Sequence, residues 1–105
     1  MNQERLTVRV ALAFFEDLDR QLAPERGPLG QPSAADFQSS ELVEIVDRFA
    51  TGFDALPELI VGRSDYRVLM STGVLVRAYT VIGQLAPDGA IELTSLEVDL
   101  GQGWS

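Results

Sequence analysis

Cysteine, histidine and lysine are all missing from this 105-residue chain. Without cysteine there are no disulfides and no thiolate metal sites. Without histidine or cysteine, Ser–His and Cys–His nucleophilic catalysis is excluded, as are most transition-metal sites. No dinucleotide-type GxGxxG, no phosphate-binding loop and no GxSxG elbow occurs. Neither a cofactor nor a metal is expected. Long apolar runs are also lacking. Nothing approaches the roughly 18 apolar residues of a membrane span, so no membrane association is expected. The opening Met1-Asn2-Gln3-Glu4-Arg5 has neither the basic leader nor the apolar stretch of a signal peptide, which makes the cytoplasm the expected location. Aromatic residues make up only 8% of the chain.

With lysine and histidine absent, all eight bases are arginine, and they face sixteen acids for a net charge of −8. Such a chain repels phosphate backbones at long range, which disfavours direct nucleic-acid binding. The imbalance is uneven. Residues 1–58 hold five Arg and eleven acids, whereas 59–105 hold three Arg and five acids. The three later arginines, Arg63, Arg67 and Arg77, form a weak local patch. Hydrophobic residues reach 46% and there is no low-complexity tract, so the whole of 1–105 reads as one folded domain.

Leu6 to Val10 alternates apolar and polar residues, as a first strand does. Ala11 to Leu22 follows as an amphipathic helix. Phe15, Leu18 and Leu22 form its inner stripe, Glu16, Asp17, Asp19 and Arg20 its solvated face, and Pro24 and Gly27 end it. Ser33 and Asp36 have the spacing of a capping box. Beyond them Leu42, Ile45, Val46, Phe49, Phe53 and Leu56 make one stripe at spacings of three and four. A second helix is therefore predicted from about Ser33 or Ser40 to about Thr51, closed by Gly52 and Pro57. From Asp65 onward β-branched and aromatic residues dominate, punctuated by Gly73 and by Pro87-Asp88-Gly89, the pattern of an antiparallel meander. The predicted fold is α+β in the order β-α-α-β-β-β. Two helices pack on one face of a four- or five-stranded antiparallel sheet.

The first hairpin's pattern suggests a register. Tyr66, Val68, Met70, Val74, Val76, Ala78, Thr80 and Ile82 are almost wholly apolar, whereas the odd positions carry Arg67 and Arg77. Assigning the even face to the core keeps both guanidiniums in water. An odd loop length is then required. Ser71-Thr72-Gly73 fits, with Gly73 in the left-handed conformation. Phe49 and Val76 are expected to be nearly fully buried. Glu92, Glu97 and Asp99 on the last strand are expected to face solvent.

On this reading the odd face gathers Arg67, Arg77 and Tyr79, with Arg63 just before it. Two guanidiniums beside a phenol can grip a phosphate or carboxylate. The arginines could stabilise a developing anion and the tyrosine could donate a proton, so the three are the candidate catalytic set. The alternative is that the arginines pair with Asp65, Glu92 or Glu97. Arg63 and Trp104 are candidate binding residues, the latter as an aromatic anchor near the end of the sequence.

The order strand–helix–helix–meander resembles the RelE/ParE superfamily of bacterial toxins. So do Phe15-Glu16-Asp17-Leu18-Asp19-Arg20-Gln21-Leu22, Gly62-Arg63-Ser64-Asp65-Tyr66-Arg67-Val68-Leu69-Met70 and Ala78-Tyr79-Thr80-Val81. The likeness runs from about Thr7 to Leu100. It implies the toxin component of a type II toxin–antitoxin system, held inactive by a cognate antitoxin, with the ribosome or DNA gyrase as target. Arg67 matches the family's central arginine and Arg77 a second basic position. Family nucleases are usually basic, with a basic or histidine-containing tail, whereas here Glu97 to Ser105 holds no base at all. Action by protein–protein contact is therefore expected over ribosome-dependent mRNA cleavage. The alternatives are a non-enzymatic dimerising or partner-binding module and a small protein that binds acidic ligands through Arg67 and Arg77.

Overall fold

Helix formation begins where side chains can satisfy free backbone groups. In the computed structural model, which describes residues 5–28 and 30–100, Ser33 Oγ accepts the Asp36 N–H at 3.0 Å and Asp36 Oδ2 accepts the Ser33 N–H at 3.0 Å. This is the expected capping box, and Arg26 braces it by donating to both Asp36 oxygens. It starts α2 (Ala34–Ser39), which ends at Ser40 before α3 (Glu41–Gly52) begins. The expected single second helix is therefore two segments. The α3 stripe is as predicted: Ile45, Phe49, Phe53 and Leu56 are buried, with Leu42 and Val46 packed alongside. Helix α1 (Leu12–Gln21) buries Phe14 and Leu18, with Leu22 just beyond it. Phe14, not Phe15, is its inner aromatic; Phe15 is half-buried and meets Phe14 edge-on.

The fold is α+β, with four strands in the order β1-β4-β3-β2. These are β1 (Val8–Val10), β2 (Tyr66–Thr72), β3 (Ala78–Leu85) and β4 (Ile91–Asp99). The expected antiparallel sheet is in fact mixed, because β1 runs parallel to β4. Joined to the meander only through the intervening helices, β1 has no hairpin to fix its direction. It slots beside β4 through Ile91 N–H to Thr7 O (2.8 Å) and Ala11 N–H to Leu93 O (3.0 Å). The other pairings are antiparallel.

The hairpin faces the opposite way from the sequence-based expectation. Thr72 pairs with Ala78, so the connection is the five residues Gly73 to Arg77 and not Ser71 to Gly73. Its length is still odd, and even residues still share a face, but that face points away from the helices. Leu69, Tyr79 and Val81 enter the core, while Met70 is 73% exposed. Two features select this side. In β4, Ile91 and Leu93 are buried, and their pairing with Leu85 and Gly83 turns the odd residues of β3 inward. At Gly83, a Cβ would lie 2.4 Å from Phe49 Cε1, so the Phe49 ring rests on bare backbone there. The extra residue in β4 between the Gly83–Leu93 and Ile82–Ser95 pairs then returns Leu96 to the core.

The objection to burying arginine does not apply, because Arg77 lies in the connection and is exposed. Val76 is buried as expected, but from this connection and not from a strand face. Gly73 does not have the expected positive φ, which among described glycines is confined to Gly30, Gly62 and Gly89. Gly73 is instead needed for close approach, since a Cβ there would sit 2.4 Å from Glu41 Oε2 and 2.7 Å from Val76 O.

Seating Phe49 on Gly83 makes the two positions energetically dependent. Gly83→Ala should destabilise the protein by about 1–3 kcal/mol through overpacking. In a Phe49→Leu background the same change should be smaller by about 0.5–3 kcal/mol. Urea midpoints of the four proteins measure the coupling.

Candidate functional site

The sheet's outer face divides into two unlike halves. On β4 and β1 it shows Glu92, Glu97 and Asp99 with Arg9, which donates to Asp88 and Glu92. The acids of β4 do face outward, as expected. On β2 and β3 it shows Tyr66, Val68, Met70 and Ile82, with Thr80 between them. Half-buried or exposed apolar side chains thus occupy positions where a one-sided sheet ordinarily carries polar ones. From Val68 to Pro87, Arg77 is the only charged residue.

The candidate catalytic residues lie in three different surroundings. Arg67 faces the helix side and clips the turn after α3. Its Nη1 donates to Leu56 O at 2.8 Å and Asp54 O at 3.4 Å, its Nε donates to Ser64 O at 2.9 Å, and its guanidinium lies 5.6 Å from the Phe53 ring centre. Tyr79 is 3% exposed and packs edge-on against Phe37. Burial pushes its phenol up from the ordinary value, partly opposed by a hydrogen bond with Ser71, so it holds its proton inside the core. Arg77 stands at the far end of the hairpin, 4.0 Å from Asp99 Oδ2. Along β2 the two arginines are separated by about 17 Å of strand. The structure does not bring the three groups together around one ligand.

Arg63 sits before β2, paired with both Asp65 oxygens at 3.0 and 2.9 Å, with its guanidinium 4.7 Å from the Tyr66 ring centre. The pairing holds the Asp65 carboxyl below its usual range. Trp104 lies outside the described residues.

Three polar residues bind backbone directly, among them Asp17, which the helical pattern assigns to a solvated face. Glu41, 3% exposed at the start of α3, accepts the Leu75 N–H at 2.8 Å and the Val76 N–H at 3.1 Å. It moors the β2–β3 connection to the helix layer. On α1, Asp17 Oδ2 accepts the Leu96 N–H at 3.0 Å. Gln21 Nε2 donates to Leu96 O at 2.8 Å, and Gln21 Oε1 accepts the Val98 N–H at 2.6 Å. These side chains complete β4 beyond the point where β1 ends. The signal available in the sequence was the i, i+4 spacing that puts Asp17 and Gln21 on one side of an amphipathic helix.

Outside the sheet, a shallow groove of about 610 Å³ runs along α3 between Leu42, Val43 and Val46, edged by the Arg5–Asp47 ion pair. Among the described residues no acidic cluster could hold a metal ion, and no helix is long and apolar enough to cross a membrane. Compared with family models, curated proteins and solved structures, the chain finds no match.

The Leu96 N–H, and to a lesser degree Arg20, hold Asp17 below the ordinary carboxylate range, against an opposing effect of burial. The unfolded chain therefore takes up this proton first on acidification. The resulting stabilisation is complete above the ordinary range and is lost as pH falls through and below it. Asp17→Asn keeps an acceptor but cannot titrate. It should show a shallower loss of urea stability than wild type between about pH 5 and pH 3.

Glu41→Ala should release the hairpin connection. The expected signs are a stability loss of about 1–3 kcal/mol and faster hydrogen exchange at the Leu75 and Val76 amides, read by NMR.

Proposed function

We propose that this chain acts by binding a protein partner through the apolar half of its outer sheet face, and not by turning over a substrate. The observation that carries this reading is the strip of Tyr66, Val68, Met70 and Ile82 on a face that none of the described helices covers. Contiguous apolar surface left half-buried or exposed marks interaction sites. The near absence of charge between Val68 and Pro87 suits a desolvated contact. The locations of Arg67, Tyr79 and Arg77 support the same reading, because each group is engaged in its own surroundings. The resemblance to RelE/ParE toxins gives the proposal its specific form. The chain would be the toxin of a toxin–antitoxin pair, neutralised by a cognate antitoxin and acting on DNA gyrase by contact, with mRNA cleavage disfavoured by its charge.

The test separates contact from catalysis. Expressed in a bacterial host, the wild-type protein should inhibit growth. Ile82→Glu, checked for an unchanged near-UV CD spectrum, should abolish the inhibition by placing a charge in the strip. Purified wild-type protein should leave mRNA on translating ribosomes intact. Cleavage by the wild type that disappears in Arg77→Ala would replace this reading with a nuclease.

A further inference from the structure

Among the described residues, the outer edge of β1 is only three residues long, and the longer edge strand β2 is covered over part of its length. Beyond β1, Asp17 and Gln21 satisfy β4. The first half of β2 is covered by the segment before it, through Val68 N–H to Pro57 O at 3.0 Å and Leu59 N–H to Tyr66 O at 3.1 Å. Those bonds show that the even residues of β2 direct their backbone groups away from β3. The odd residues point the other way, as the 2.8 Å bond from Leu85 N–H to Asp65 O shows. By the alternation of an antiparallel ladder, the N–H and C=O groups of Met70 and Thr72 point outward past the end of the covering segment; the Thr72 carbonyl accepts a long 3.3 Å bond from the Ser71 hydroxyl and keeps a second lone pair for a partner.

We propose that this free half of β2 pairs antiparallel with the same stretch of a second copy, across a two-fold axis centred on Ser71. Met70 then lies opposite Thr72 of the second copy, and each pair exchanges both of its outward hydrogen bonds. The sheet continues across the axis, and the exposed Met70 and Val74 side chains come together there. Charge distribution identifies the occupant as a second copy. A strand that pairs with itself sets every residue near the axis close to its own copy, where any charge would meet its like. The nine residues from Val68 to Val76 carry no charge, in a chain of net −8. A foreign partner is ordinarily steered by opposite charge. Here the strip offers only Arg77, which already faces Asp99. The devices that usually protect an edge, a lysine, a proline or an inward-pointing charge, are absent from Val68 to Val76. This pairing uses the edge of β2 and does not rest on the partner-binding role of the outer face.

Sedimentation velocity on the full chain, from about 5 μM to about 500 μM, covers the range of a small interface. The expected result is a monomer–dimer equilibrium that tightens as salt screens the repulsion between two acidic copies. Thr72→Pro is the deciding variant, because it removes only a donor that points away from β3. It should weaken dimerisation at least about tenfold while leaving the near-UV CD spectrum unchanged. Met70→Lys takes its place if the proline variant does not fold. Val43→Lys, on the α3 groove, should leave the equilibrium as it is. A single monomeric species at every concentration would overturn the proposal. So would a dimer insensitive to the deciding variant, or one that loosens with salt.

Discussion

The Phe49 ring against the bare backbone of Gly83 is the contact on which the arrangement of this molecule turns. Any side chain at that point of β3 would push the helix layer off the sheet, so the glycine must face the helices. Because side chains alternate along a strand, that requirement places Tyr79 and Val81 inside and Thr80 and Ile82 outside. Pairing carries the choice to β2, where Leu69 goes in and Met70 comes out. Together with the inward Ile91 and Leu93 of β4, this close approach decides which half of the hairpin is core and which faces outward.

The buried side of that choice explains why the arginines and the tyrosine act as structure. Arg67 enters the helix side with its Nε and Nη1 donors engaged, because the carbonyls of Asp54, Leu56 and Ser64 converge on it. A guanidinium with fixed carbonyl acceptors can be partly desolvated at modest cost. Glu41 has the complementary role with two amide donors from the β2–β3 connection. Arg67 and Glu41 thus both bind backbone rather than an opposite charge.

Much of the helical half was legible in the sequence. The Ser33–Asp36 capping box and the stripe from Ile45 to Leu56 depend on local spacing, which a helix converts directly into a face. The sheet was legible in content but not in orientation. The even residues of the hairpin are more apolar than the odd ones, and the misreading came from placing Arg77 in a strand and from taking burial of Arg67 as unpaired. The carbonyl partners of Arg67 and the end of the strand at Thr72 are tertiary facts. The alternation of Ile91, Glu92 and Leu93 did carry the correct orientation, but using it requires knowing that Gly83 lies opposite Leu93. The parallel placement of β1 was not readable, since no hairpin constrains it. For the candidate site, residue types were found but not their grouping. Arg67 and Arg77 look close in a list of residues and stand at opposite ends of β2.

Asp17 and Gln21 give β4 the donors and acceptors that another strand would supply, and so withdraw that stretch from further pairing. On the same flank, β1 offers only three residues. Open-ended growth of a sheet needs two usable flanks, one to receive and one to extend. A molecule with a single usable flank is terminated by the first copy that joins it. If copies join through the edge of β2 as proposed, helix α1 then acts as a chain stopper at this stretch of β4, favouring a closed pair over a filament.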